Sequence, residues 1–220
     1  MPRAYTYKVI SGPVNLAVDL ATVKQHLRVT STDEDALITQ YINAAIAYAE
    51  KKTRRDFITR TYETFRDEWP YLGTSEGYYD LSNNYYSSYD RIRYGDAKLY
   101  AFELRKSPLQ SVSSVEYLVD GSFVTLANTV YYNTLESDYS EVLLAEDQCW
   151  PEDKDQGLQS IKITFVSGFG DTSADVPEDI KTALLMHVTH LYQNRGDCSN
   201  EGMIPSMVNS IYLQSRIENL

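Results

Sequence analysis

The chain has 220 residues, 43% hydrophobic and 23% charged, a balance that belongs to globular proteins and excludes wholesale disorder. Its formal net charge of −11 opposes any broad, non-specific grip on a polyanion. No apolar run approaches the roughly 20 residues needed to cross a bilayer, and residues 1–20 lack a cationic start followed by an apolar block, so no membrane partner and no signal peptide are expected. The length allows one large domain or two modest ones. Cys149 and Cys198 lie far apart with no ligand spacing, which predicts two reduced thiols in a cytosolic setting.

In chain order, Tyr5 to Val18 reads as an irregular or extended arm. Asp19 then caps a short helix with Leu20, Val23 and Leu27 on one face and Lys24 and Arg28 toward water. Ser31-Thr32-Asp33-Glu34 has the S-x-x-E form of a capping box, with acidic residues favouring a helix N-terminus. The helix it opens runs through Ile38, Ile42, Ala45 and Ala49, with an apolar arc wide enough to require more than one neighbour. Lys51, Lys52, Arg54 and Arg55 crowd its C-terminal end. They suit exposed carbonyls there, and a contact with an acidic partner surface is the alternative.

From Ile58 the period becomes alternating, as strands require, up to Trp69. Residues 71–97 are rich in Tyr, Ser, Asn and Gly and predict an elaborated surface loop. Tyr78, Tyr79, Tyr85, Tyr86 and Tyr89 serve there either as recognition side chains or as packing against the loop's own sheet. Further strands are predicted at 99–104, 114–119, 122–126, 130–133, 141–145 and 161–166, with Asp120-Gly121 a hairpin turn. The segment from Pro177 to Arg195 is the strongest helix signal: Pro177 suits the first turn, and Ile180, Ala183, Leu184, His187, Val188 and Leu191 form one stripe. Arg195 and Gly196 end it. After Pro205 a last weak helix places Met207, Val208, Ile211 and Tyr212 inward.

The fold class expected is α+β: N- and C-terminal helices packed together as a scaffold (1–57 and 171–220), with an inserted antiparallel β-rich block (58–170). Catalytic chemistry is sparse. Phosphate-binding, dinucleotide, nucleophile-elbow and zincin motifs are missing, and Asp153-Lys154-Asp155 starts like a calcium loop that Leu158 and Thr164 then break. His187 and His190, one turn apart, could share a metal with His26 or a carboxylate, but a core histidine is commoner on an apolar stripe. No catalytic residue, metal or cofactor is therefore assigned.

V-D-L-A-T-V-K-Q-H-L-R-V at 18–29, D-E-D-A-L-I at 33–38, A-A-I-A-Y-A-E at 44–50, S-P-L-Q-S-V-S-S-V-E-Y at 107–117, F-V-S-G-F-G-D at 165–171 and V-P-E-D-I-K-T-A-L-L-M-H-V-T-H-L-Y-Q-N-R at 176–195 together resemble the head-tail connector (adaptor) proteins of tailed bacteriophages. The tyrosine-rich insert departs from that pattern, as does His190. The resemblance implies a structural, non-enzymatic virion protein of the neck, assembled in the host cytoplasm. It implies a homo-oligomeric ring, usually twelve-fold, beneath the portal protein and above a tail-side terminator or stopper. Packaged DNA would pass through without sequence-specific binding, helped by an acidic lining. It also implies portal docking through the last segment, by Met203, Met207, Ile211, Tyr212, Arg216 and Leu220. The alternatives are a β-domain binding module for a glycan or receptor and, less favoured, a metal-dependent hydrolase.

Overall fold

A computed structural model describes residues 6–70, 101–134, 140–195 and 204–217. The tyrosine-rich segment 71–97, with Tyr78, Tyr79, Tyr85, Tyr86 and Tyr89, lies outside the described residues, as do Met203, Leu220, Cys198 and Gly196. The chain divides into two compact units. One comprises Met1–Ile10, Thr61–Arg105 and Leu109–Val166, the other Ser11–Arg60, Lys106–Pro108 and Ser167–Leu220.

The helical unit holds α1 (Leu20–Leu27), α2 (Asp35–Thr53), α3 (Glu178–Gln193) and α4 (Ser206–Gln214). Asp19 caps α1 as expected, its carboxylate accepting the Thr22 N–H at 2.8 Å. α2 is covered on several sides, packing against α1, α3 and α4, and α1 also packs against α3. The N-terminal helices and the late helix after Pro177 thus close over one core, whose members include Val23, Ile38, Ile42, Ala45, Ile180, Leu184, Val188 and Tyr212. Burying each large aliphatic there contributes about 1.5–3 kcal/mol, far above the few tenths that helix propensity supplies.

The β unit contains β1 (Tyr7–Ser11), β2 (Arg60–Arg66), β3 (Ala101–Glu103), β4 (Leu109–Val119), β5 (Ser122–Thr125), β6 (Tyr131–Thr134), β7 (Glu141–Leu144) and β8 (Ile161–Ser167). They form a five-stranded sheet in the order β1-β2-β8-β4-β5 and a three-stranded sheet in the order β3-β7-β6. The pairs β3–β7, β6–β7 and β4–β5 are antiparallel. The β4–β5 turn is the predicted one: Asp120 and Gly121 take φ of 48° and 75°, the left-handed values that a two-residue hairpin of this hand demands. Tyr62, Phe102, Leu104, Val115, Val142, Ile161, Ile163 and Phe165 fill a second core belonging to this unit.

The N-terminal arm, read as irregular or extended, takes the extended form over Tyr7–Ser11 as β1, at one end of the five-stranded sheet. Three sequence expectations are corrected. The S-x-x-E box does not form: Ser31 and Asp33 bond each other, Glu34 stands at the helix N-cap without a side-chain cap, and its carboxylate turns instead to α3. Lys24 is not in water, because Asp35 draws its Nζ to 2.5 Å. On α4, Val208 and Tyr212 are buried, whereas Met207 points outward at 59% exposure. A capping box that the sequence reading missed lies at Thr172, whose hydroxyl and N–H both bond Asp175 just before α3.

Candidate functional site

α4 is the element that the sequence reading tied to a partner, and its seat is built from two helices, α2 and α3. Tyr212 projects inward, and its hydroxyl lies 3.3 Å from His187 Nδ1 on α3. The His187 ring meets Tyr48 of α2 edge-on, with centroids 5.4 Å apart. Beyond the helix end, Arg55 Nε donates to the Ser215 carbonyl at 2.8 Å, Arg54 Nη1 reaches the Ile217 carbonyl at 3.5 Å, and the Ile217 N–H donates to the Thr53 carbonyl at 3.1 Å. The basic run closing α2 therefore satisfies carbonyls at the end of a different helix, a role local spacing cannot reveal. Arg54 itself ends α2 in the left-handed conformation, at φ 61°.

The six residues named for docking are thus distributed unevenly. Met207 is exposed, Ile211 and Arg216 are half-buried, Tyr212 is wholly buried, and Met203 and Leu220 lie outside the described residues. Leu213 (42% exposed) and Tyr48 (41%) add exposed apolar surface on α4 and on the helix beneath it. Neither was singled out beforehand, because both sit on stripes that read as ordinary amphipathic helix.

His187 and His190 do not converge. His190 Nδ1 lies 3.0 Å from the Asn194 amide, while His187 is engaged in the core with Tyr212 and Tyr48. His26 is exposed near the end of α1. No group of three or more metal-ligating side chains gathers among the described residues. Asp155, the second acid of the calcium-like stretch, accepts the backbone N–H groups of Asp120 and Gly121 at 3.1 and 2.8 Å and so pins the β4–β5 turn. Cys149 is free and exposed.

Burial, and secondarily the charge of His190, pushes the His187 pKa from 6.5 down to about 4. The unfolded chain therefore takes up this proton first. The resulting stability is complete above pH 6.5 and is lost as pH falls toward 4, on the order of 3 kcal/mol at 1.36 kcal/mol per unit. Melting temperature measured from pH 7 to 4 should fall along this limb, and His187→Gln, free of the titration, should flatten it. An unchanged limb in the variant would remove His187 as the cause.

A second polar cluster ties the C-terminal end of α2 to the turn after β8. Arg60 donates through Nη2 to Glu50 at 2.8 Å and through Nη1 to Asp56 at 3.0 Å, and Lys106 Nζ stands 3.8 Å from the Asp56 carboxylate. Asp56 also accepts a short hydrogen bond from the Ser167 hydroxyl. Burial outweighs these partners at Glu50 and raises its pKa. Next door Gly168, at φ 131°, lets the chain pass so close that a Cβ would stand 2.7 Å from the Thr59 nitrogen. The cluster flanks a cavity of about 130 Å³ between α2 and the segment before α1, lined in part by Pro13, Asn43, Ala47 and Ile58. At the other end of α2, Glu34 receives Tyr192 Oη at 2.5 Å and Arg195 Nη1 at 2.8 Å, and the Arg195 bond lowers its pKa. This geometry joins and positions helices. Each carboxylate in it lies against at least one cation.

Comparison with known proteins gives three kinds of result. The phage gp6-like head-tail connector protein family matches residues 17–83, which span α1, α2 and β2. No curated protein sequence matches the chain. Among solved structures, a chain from the neck of an empty GTA particle computed with C6 symmetry superposes with a TM-score of 0.72 at 19% identity, covering 98% of this chain and 97% of that one. A chain of the virion of a native gene transfer agent particle gives 0.70 at 18% identity, with the same two coverages. One from the neck of a native GTA particle computed with C12 symmetry gives 0.70 at 17%, again over 98% and 97%. The likeness is one of fold and spans both units. The family match is confined to the stretch holding α1, α2 and β2, where the chain is similar to the phage gp6-like head-tail connector proteins, and the likeness over the rest of its length is one of fold.

Proposed function

We propose that the protein is a structural, non-enzymatic subunit of a particle neck, an adaptor that joins head to tail as a ring beneath the portal and continues the DNA channel. One observation carries this reading: the fold agrees over nearly the full length of both chains with proteins of a neck, while the connector-family match falls on the stretch holding α1, α2 and β2. Twelve copies around one axis are favoured, in keeping with the C12 symmetry used for one of those necks. Such a ring sets two different faces of each subunit against each other and closes by rotation. A net charge of −11 suits a channel through which the duplex slides, since each added cation-phosphate contact would hold it.

In this reading the portal meets α4 and the residues around it. Tyr212 anchors the helix from inside, and Met207, Ile211 and Arg216 face the partner; Met203 and Leu220, named with them, lie outside the described residues. A tail-side stopper or terminator would take the opposite rim. The test is to mix the purified chain with its cognate portal and follow mass and shape by mass photometry and negative-stain imaging. Annular particles capping the portal are expected, and a persistent monomer blind to portal would overturn the reading. Met207→Asp should weaken portal binding at least tenfold. Because Met207 is 59% exposed, the same change should leave stability within about 0.5 kcal/mol.

A further inference from the structure

The five-stranded sheet ends in β1 on one side and β5 on the other. Among the described residues nothing pairs with the outer edge of either. On β5 the outward backbone groups can be identified. Leu118 sends its N–H to the Ser160 carbonyl and receives the Asp155 N–H at its own carbonyl, both away from β5, while the Leu126 N–H bonds the Val115 carbonyl. With Leu118 opposite Phe123 and Glu116 opposite Thr125, the alternation of an antiparallel ladder makes these the non-bonded pairs. Phe123 and Thr125 therefore turn their N–H and C=O groups to the free edge.

Among the described residues, neither edge is guarded by proline or by a run of charge. Ser122-Phe123-Val124-Thr125 contains no proline and no charge, and Phe123 and Val124 are 42% and 44% exposed. β1 carries a single lysine, Lys8, and exposes Val9 at 53% and Ile10 at 48%. The two edges are similar in length, five residues and four. Lys8 on β1 is 67% exposed although its Nζ stands 3.3 Å from Glu63, and Asp120 is exposed at the turn that precedes β5.

We infer that β1 of one copy pairs with β5 of the next, so that the sheet continues from subunit to subunit. The occupant of each edge is the opposite edge of a second copy. Such a contact is head-to-tail, leaves one edge free at each end of an open chain of subunits, and removes both when the ring closes. This inference rests on the ring reading above and adds to it the surface through which neighbours join.

Single-edge variants test it. Thr125→Pro deletes an outward N–H without touching those that bond β4, while Phe123→Lys and Val9→Lys place a charge on either edge. Sedimentation velocity on the full chain, alone and with portal, should show ring-sized particles for the wild type and monomers for each variant, association falling at least tenfold. Melting temperatures should stay within a few degrees, since all three positions are exposed. An equimolar mixture of Phe123→Lys and Val9→Lys should stop at heterodimers, because each chain keeps one sound edge. Should Thr125→Pro fail to fold, the two lysine variants decide. Rings that survive both lysine changes would overturn the edge pairing and leave the connector reading standing. A wild-type chain that stays monomeric, with portal present, would overturn both.

Discussion

Leu184→Asp is expected to abolish folding of the helical unit. Leu184 is 2% exposed in the middle of α3, the helix that packs against α1, α2 and α4 together. The change removes a buried aliphatic side chain, about 2–5 kcal/mol, and strands a carboxylate in its place at a further cost of several kcal/mol. The sum is comparable to the whole 5–15 kcal/mol that holds an ordinary domain together. The check is soluble yield and the helical circular-dichroism melt, with Leu184→Met as the volume-matched control that should lose less than about 1.5 kcal/mol. A soluble aspartate variant with an unaltered melt would mean that the face assigned to the core is wrong.

Arg60→Ala should be the next most damaging single change. Its guanidinium reaches Glu50 and Asp56 at once, with side chains only 19%, 12% and 3% exposed, so the pairs are shielded from water. Truncation leaves both carboxylates with less compensation in a site they cannot leave, which costs about 3–5 kcal/mol for a buried pair. Lys106 and Ser167 remain at Asp56, which argues for the lower end. For a chain of this size that corresponds to a melting temperature lower by about 6–12 °C. Arg60→Lys, which keeps the charge but not the two-pronged reach, should fall between the two. A melt unchanged in Arg60→Ala would show the cluster to be a solvated surface feature.

Much of this architecture could be read locally. The stripe after Pro177, the Asp19 cap, the Asp120-Gly121 turn and the strand at 161–166 all appear where their spacing puts them, since each depends on neighbours within a few residues. Even the closure of the helices over one core follows from the breadth of the α2 arc, which no single partner could cover.

Other features turned on competition between distant groups. Glu34 is equally suited to an S-x-x-E box and to a cation. Tyr192 and Arg195, some 158 and 161 residues away, hold it with two hydrogen bonds where the box would have given one. Arg54 and Arg55 read as the end of their own helix, yet they serve carbonyls after α4. Met207 fell on the stripe expected to be inward, and the actual rotation of a nine-residue helix was settled by Tyr212 finding His187.

What the sequence by itself determined was the class of fold, the positions of nearly all its elements and the family resemblance, because periodicity, caps and turns are short-range physics repeated along the chain. Only the tertiary structure decided which carboxylate meets which cation, that β1 joins the sheet, and which apolar side chains on α4, β1 and β5 are left facing out. Those outcomes depend on which surfaces are already covered when a segment arrives, and coverage is a property of the packed molecule, not of any stretch within it.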